Sequence, residues 1–211
     1  MKIGVIGAGS VGSALGKLWA QKGHQVTFGV RKTEDPRLHE LLRSTAGHAR
    51  VGSLKDAAAF GEVVVLAVPW SAAQDAIKAT GGLAGKILVD CTNPLAPDLS
   101  GLVIGTTNSA GEEVSRLAKG AKVVKAFNTI GAANFENPRF GSESASMFIC
   151  GDDPAAKAVV AKLASELNFD VVDAGPLIAS RWLEPLAMLW IHMALKQGFG
   201  ATGHGFKLLR R

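Results

Sequence analysis

The chain has 211 residues, 47% of them hydrophobic, which is enough to bury the core of one domain and excludes a disordered protein. Its formal net charge of +5 suits an anionic ligand, but aromatic residues make up only 6% and the positive residues are dispersed, which argues against nucleic acid. Two distant cysteines and five histidines without ligand spacing predict neither a disulfide framework nor a metal site. We expect Cys91 and Cys150 to be small core residues.

The chain opens with a short apolar run at 2–6 that leads directly into the glycine-rich turn 7–12, which reads G-x-G-x-x-G. Helical sequence follows up to Gly23. In such a turn the first glycine allows a tight bend, the second lets the backbone approach a pyrophosphate, and the third lets the helix pack against the sheet. The residues expected to hold a pyrophosphate at this helix N-terminus are Gly7, Ala8, Gly9, Ser10, Val11 and Gly12.

A second apolar run at 25–30 completes a βαβ unit and ends in Arg31 and Lys32. Sites for NAD usually place an acidic residue at this strand end, whereas sites for NADP accommodate the 2′-phosphate with an arginine. No acid stands at this strand end, and two cations do. We therefore expect NADP(H), bound by Arg31 with help from Lys32, and the alternative is that these cations only solvate the strand end.

Strands and helices alternate along the remaining sequence up to about residue 175. Strands are predicted at 48–52, 62–68, 86–91, 122–127, 145–150 and 169–172, and helices at 53–59, 71–79, from 109 and at 154–168, with a short helix or loop at 36–44. Capping signals mark three helix starts: Ser53 with Asp56, Ser109 with Glu112, and Asp153 before Pro154. The pattern predicts a doubly wound, mostly parallel α/β sheet of the Rossmann type over 1–175.

Residues 176–211 are predicted to form a small C-terminal helical extension, too short for an independent catalytic domain. Its apolar run at 185–195 is shorter than the ~20 residues of a membrane span. The N-terminal run is too short for a signal peptide, so we expect a cytoplasmic protein. We expect the apolar helix to contact a second subunit in a homodimer, and the alternative is packing against the sheet of its own chain.

The chemistry is expected beyond the carboxyl ends of the parallel strands, near the point where strand order reverses. This rule selects Val68, Pro69 and Trp70 for the nicotinamide side of the cofactor, and Asn93 and Asn128 as amides for a carboxamide or an incoming ring. The alternatives are a proline-terminated strand with a packing tryptophan, and ordinary turn asparagines.

Two absences narrow the reaction class. The sequence contains no tyrosine, which excludes the tyrosine and lysine proton relay of short-chain dehydrogenases, and no G-x-S-x-G that would supply a hydrolase nucleophile. Hydride transfer remains, a reaction that the cofactor performs and the protein positions. We therefore expect no catalytic side chain.

Nearly the whole chain resembles the NADPH:F420 oxidoreductases, deazaflavin-linked reductases of archaea and some bacteria. The stretches that carry the resemblance are 7–12, 28–31, 68–70, 151–153, 173–177 with Ser180, Arg181 and Glu184, and the ending at 198–200 and 205–209. The stretch 125–128 is similar to one in the oxidoreductase domains of STEAP metalloreductases, which pass hydride from NADPH to a flavin.

The resemblance implies a pyrophosphate at Gly7–Gly12, a 2′-phosphate at Arg31, and a nicotinamide beside Val68–Trp70. It also implies that coenzyme F420, or a flavin such as FMN or FAD, lies face to face with the nicotinamide and receives the hydride directly. Asn128 stands where the archaeal enzymes tend to carry histidine. Two other interpretations remain open: a relative of pyrroline-carboxylate reductases or hydroxyacid dehydrogenases, and a non-catalytic NADP-binding or redox-sensing module.

Overall fold

The computed structural model describes residues 1–211 and is built on one eight-stranded sheet. The strands are β1 (Lys2–Ile6), β2 (Gln25–Gly29), β3 (Ala49–Gly52), β4 (Val63–Leu66), β5 (Ile87–Asp90), β6 (Lys122–Lys125), β7 (Arg139–Phe140), β8 (Glu143–Ser144), β9 (Ser146–Gly151) and β10 (Asp170–Asp173). The helices are α1 (Ser10–Gln21), α2 (Pro36–Arg43), α3 (Leu54–Phe60), α4 (Trp70–Ala79), α5 (Ala110–Leu117), α6 (Pro154–Ser165) and α7 (Ser180–Lys196).

The sheet has the strand order β10-β9-β6-β5-β4-β1-β2-β3, and β7 and β8 form a separate small hairpin. All neighbours in the sheet run parallel except β6 and β9. The order of the six strands from β3 to β6 is that of a dinucleotide-binding domain, with its reversal point between β1 and β4. The predicted doubly wound, mostly parallel fold is confirmed.

The sheet is buried on both faces, which explains the nearly continuous apolar sequence of its central strands. In β4, Val63 and Val65 belong to one buried cluster, together with Trp19 and Phe28, while Val64 and Leu66 belong to a second cluster. Successive side chains of a strand point to opposite faces, so a strand between two cores must be apolar at every position. Cys91 and Cys150 lie unpaired in these cores, as the sequence predicts.

The predicted helix starts are confirmed by side-chain caps. Ser53 and Asp56 form a reciprocal capping box at α3, Ser109 accepts from the backbone N–H of Glu112, and Asp153 accepts from that of Ala156. These caps are local devices in which a short side chain satisfies N–H groups that the helix leaves free, which is why sequence spacing reveals them.

Several predicted boundaries are wrong. Trp70 begins α4, whereas the sequence predicted a strand stop there and a helix only from residue 71. Phe127 was placed in a strand but has a φ of +60°, so β6 ends at Lys125. The helix predicted over 154–168 ends at Ser165, and Asn168 turns with a φ of +65° into β10. Asn tolerates this left-handed conformation better than most residues.

The C-terminal segment consists of α7 followed by an irregular tail that returns to the sheet. The helix begins at Ser180, before the apolar run, and includes Pro185. Trp190 donates from Nε1 to the His204 carbonyl at 3.1 Å, and the Phe206 carbonyl accepts from the N–H of Ser146 at 2.8 Å. None of the helices combines the length and the apolar character required to cross a membrane.

Candidate functional site

The turn between β1 and α1 has the geometry of an anion site. Gly7 has a φ of +101°, and a Cβ on Gly12 would lie 2.1 Å from the Gly7 carbonyl oxygen. A Cβ on Gly9 would have no neighbour within 4 Å, although Gly9 is the N-cap of α1. No side chain caps this helix. The free N–H groups and the positive end of the helix dipole therefore face open space, where an anion is stabilised.

The turn lies at the reversal point of the sheet, with Val68 beside it. Gly7 donates its N–H to the Gly29 carbonyl at 2.9 Å, and a Cβ on Gly7 would lie 2.8 Å from Cγ1 of Val68. Pro69 is the exposed N-cap of α4, and Trp70 packs, partly buried, against the core. The structure thus brings Val68 to the glycine turn, with Pro69 next to it in the chain, and Trp70 has the packing role that was the sequence-based alternative.

Arg31 and Lys32 lie at the end of β2 and are exposed, and neither makes a hydrogen bond or an ion pair. Together with the next three residues they line a cavity of about 370 Å³. Asp35, one of the lining residues, accepts a two-pronged contact from Arg37, and this hydrogen bonding lowers the pKa of Asp35 from 3.8 to about 2. Arg31 and Lys32 have no ion-pair partner of their own, although Glu34 also lines the cavity, and both cations can therefore bind a phosphate.

Asn93 and Asn128 form a reciprocal pair at the ends of β5 and β6. Nδ2 of Asn93 donates to the Asn128 carbonyl at 3.0 Å, and Nδ2 of Asn128 donates to Oδ1 of Asn93 at 3.1 Å and to the Leu183 carbonyl at 3.2 Å. Asn128 is buried, yet its Oδ1 has no partner. An acceptor left unpaired in this way is costly unless a ligand supplies the donor.

The residue before this pair is strained. Phe127 is a buried aromatic residue with a φ of +60°, a conformation that costs of order 1–3 kcal/mol in a non-glycine residue. Its N–H donates to Sδ of Met147 at 3.1 Å. Strained backbone of this kind clusters at functional sites, and here it turns the chain so that Asn128 meets Asn93.

A buried charged cluster, which the sequence analysis missed, lies next to the amide pair. Nζ of Lys125 is 2.7 Å from Asp90 and 2.8 Å from Glu184, and all three side chains are at most 1% exposed. Burial favours the neutral amine, but the two carboxylates outweigh it and raise the pKa of Lys125. One available signal was a lysine inside the apolar run 123–127. Another was the glutamate at the start of the apolar helix.

The structure offers no thiolate. Burial raises the pKa of Cys150 to about 11 and that of Cys91 further still. Thiols of this kind stay protonated near neutral pH, so neither cysteine is a nucleophile.

The site residues occur along one edge of the sheet without forming a single pocket. Arg31 follows β2 and Asn128 follows β6, with three strands between these two. Four spacings of about 4.8 Å place the two strand ends roughly 19 Å apart. One ligand reaches both only if it is extended. A nicotinamide dinucleotide with a 2′-phosphate fits, because cations, free helix N–H groups and an unpaired amide oxygen follow one another along this edge of the sheet.

Comparisons with known proteins agree with this geometry. A family model described as NADP oxidoreductase, coenzyme F420-dependent, matches residues 2–94. The F420-dependent NADP reductase of Methanocaldococcus jannaschii is 31% identical, with 96% of each chain covered. The metalloreductase STEAP3 of Rattus norvegicus is 31% identical over 89% of this chain, which spans only 37% of that protein.

A crystal structure provisionally assigned as an F420-dependent NADP reductase, from Arthrobacter sp. FB24, superposes with a TM-score of 0.89. It is 37% identical, and all of both chains is covered. The glycine turn, the strand-end cations and Val68 all lie within the part matched by the family model. The relative from Methanocaldococcus extends the match over almost the full length. The chain therefore belongs to the family of F420-dependent NADP oxidoreductases.

Proposed function

We propose that the protein transfers hydride between NADPH and coenzyme F420. It is an NADP-dependent oxidoreductase of the F420 reductase family, and the full-length similarity to a reductase of that name supports the choice of acceptor. The single observation that carries the cofactor preference is the pair of exposed, unpartnered cations at the end of β2, where an NAD site would place an acid.

We assign three parts of the site to the three parts of NADP. The turn Gly7–Gly12, with its open N-cap at Gly9, would hold the pyrophosphate, and Arg31 with Lys32 would hold the 2′-phosphate. Val68, Pro69 and Trp70 would flank the nicotinamide. The unpaired Oδ1 of Asn128 would accept an N–H of the nicotinamide carboxamide or of the second ring, with Asn93 holding its orientation.

The proposed reaction needs positioning more than acid or base catalysis. Bound NADPH supplies the hydride. Asn93 and Asn128 do not titrate, and the ammonium of Lys125 is buried and paired with two carboxylates. The protein's residues would therefore orient two flat rings and exclude water, which is compatible with a site that lacks a free acid or base.

The decisive experiment is a panel of acceptors. The purified protein is mixed with NADPH or NADH and with F420, FMN or FAD, and the NADPH absorbance band is followed. We expect the fastest turnover with NADPH and F420. Faster turnover with FMN or FAD would identify a flavin reductase, and no turnover with any acceptor would overturn the proposal. Tight NADPH binding without turnover, together with a stable protein partner, would favour a non-catalytic module.

We also propose that the protein is a homodimer, assembled through α7. Trp182 and Leu189, two helical turns apart, are 68% and 49% exposed, and Ile178 just before the helix is 42% exposed. Apolar side chains in such a row are typical of an interface, and a twofold axis would place the same row of a second copy against it. Leu183, Ala187 and Trp190 of α7 are buried within the chain, so a different face of the helix is left for the proposed second subunit. Both thiols are free, which fits the reducing cytoplasm that we propose as its location.

A further inference from the structure

The buried cluster of Lys125, Asp90 and Glu184 leads by short steps to both asparagines of the amide pair. Oδ2 of Asp90 binds the ammonium, while its Oδ1 accepts from the N–H of Thr92 at 2.9 Å and from Oγ1 of Thr92 at 2.7 Å. Asn93 is the next residue. One carboxylate therefore fixes the backbone from which the first asparagine projects.

The other carboxylate leads to the second asparagine. Glu184 binds the ammonium and also accepts from the N–H groups of Ala110 and Gly111, at 2.9 and 3.0 Å, where α5 begins. Its neighbour Leu183 offers the carbonyl to which Nδ2 of Asn128 donates. The first turn of α7 is thus held against the charged cluster and against Asn128 at the same time.

Stability alone is a weak reason for such a cluster. Burying charges costs several kcal/mol per ion, and apolar residues of similar volume often serve a core as well or better. Here each charged group has at least two partners, which makes the arrangement rigid. The cluster lies at the carboxyl edge of the sheet and not in the middle of a core. Its location indicates a geometric task at the site.

We propose that Lys125 and Glu184 are positioning residues, which set the distance and orientation of Asn93 and Asn128 for the ring that binds there. The proposal rests on the function proposed above, in which a nicotinamide or deazaflavin ring meets this pair. Neither residue touches a ligand. Lys125 acts through Asp90, which fixes the backbone before Asn93, and Glu184 acts through its neighbour Leu183, whose carbonyl binds Asn128. Because Glu184 belongs to α7, the C-terminal segment is part of the site and does more than cover it.

The test compares Glu184→Gln, Asp90→Asn and Lys125→Met with a control, Lys157→Met. Lys157 lies 2.8 Å from Asp173 and is only 16% exposed, so its replacement also removes a cation from a partly buried ion pair. Lys157 belongs to α6 and is far from Asn93 and Asn128 in sequence. Thermal unfolding is measured for all variants. Binding of NADP⁺ is compared with that of 2′-phospho-ADP-ribose, which has the pyrophosphate and the 2′-phosphate but no nicotinamide. The kcat and KM for the acceptor are measured separately.

We expect the cluster variants to bind 2′-phospho-ADP-ribose like the wild type. Either their affinity for NADP⁺ should fall, or their KM for the acceptor should rise, by about three- to tenfold, the size of one lost hydrogen bond. A lower affinity for NADP⁺ would assign the amide pair to the nicotinamide, and a higher KM would assign it to the acceptor.

The control variant should be less stable than the wild type, with an unchanged affinity for NADP⁺ and an unchanged KM. Lower unfolding temperatures with neither loss would overturn the proposal. If Lys125→Met does not fold, the two isosteric variants decide. If the wild type turns over no acceptor, the proposed function fails, while the NADP⁺ comparison still tests positioning.

Discussion

Two glycines of the same turn should respond in opposite ways to the same added methyl group. In Gly9→Ala the new Cβ meets no atom within 4 Å, and the backbone, with φ −79° and ψ −167°, is open to any residue. The free energy of unfolding should therefore change by less than about 0.5 kcal/mol. The methyl group instead fills the space in front of α1. If it removes one charged hydrogen bond to the pyrophosphate, NADPH binding should weaken by about 1.5–3 kcal/mol, roughly 10- to 150-fold.

In Gly12→Ala the Cβ would lie 2.1 Å from the Gly7 carbonyl oxygen and 3.2 Å from Cγ1 of Val5. The helix must then move away from β1, and overpacking of this kind costs about 1–3 kcal/mol. Urea unfolding and fluorescence titration with NADPH measure the two effects separately. We expect Gly9→Ala to be stable and weak in binding, and Gly12→Ala to be destabilised. A Gly9→Ala protein that binds NADPH as tightly as the wild type would refute a pyrophosphate at this turn.

Three further outcomes are expected. Arg31→Glu should weaken NADPH binding by about 1.5–3 kcal/mol and leave NADH binding nearly unchanged. Lys22→Glu makes the same charge change at the far end of α1 and should alter the binding of neither cofactor. If the ratio of the NADPH and NADH affinities is the same in both variants, the 2′-phosphate is bound elsewhere. Trp182→Asp should give a monomeric mass in analytical ultracentrifugation, and a wild type that is already monomeric would contradict the dimer. The lowered pKa of Asp35 contributes stability above pH 3.8 that is lost as the pH falls toward about 2. Asp35→Asn should thus be less stable than the wild type at pH 6 in urea unfolding, and the difference should shrink as the pH falls from 3.8 through about 2; a difference as large at pH 2 as at pH 6 would refute the ion pair as its cause.

The parts of the fold that the sequence predicted depend on neighbours in the chain. The βαβ opening, the caps at Ser53 and Ser109 and the apolar strands are short-range signals, and each was found at or near its expected place. The end of β6 at Lys125 was missed because nothing in the local pattern indicates that a bulky aromatic residue, Phe127, adopts a left-handed conformation. The hairpin of β7 and β8 was missed because two-residue strands have no periodicity to detect.

In the candidate site, too, the residues that are contiguous in sequence were predicted and the contacts between distant residues were not. The pyrophosphate turn and the strand-end cations were predicted because each is contiguous in sequence. The contact of Asn93 with Asn128 joins residues 35 positions apart, and the partners of Lys125 lie on β5 and α7. Only the folded sheet brings these groups together. A buried lysine in an apolar strand indicates that partners exist, but it does not say which residues they are.

The position of Glu184 also has a consequence for the order in which the protein assembles during synthesis. The first 150 residues contain β1 to β6, yet within them Lys125 has only Asp90 as a counter-ion, and the N–H groups at the start of α5 lack their acceptor. The carboxylate of Glu184 is made only with α7, and the tail that binds Ser146 is made after it. We therefore expect the nascent N-terminal part to remain loosely closed until α7 has been made, so that the arrival of α7, and not completion of the glycine turn, marks the point at which the domain becomes rigid.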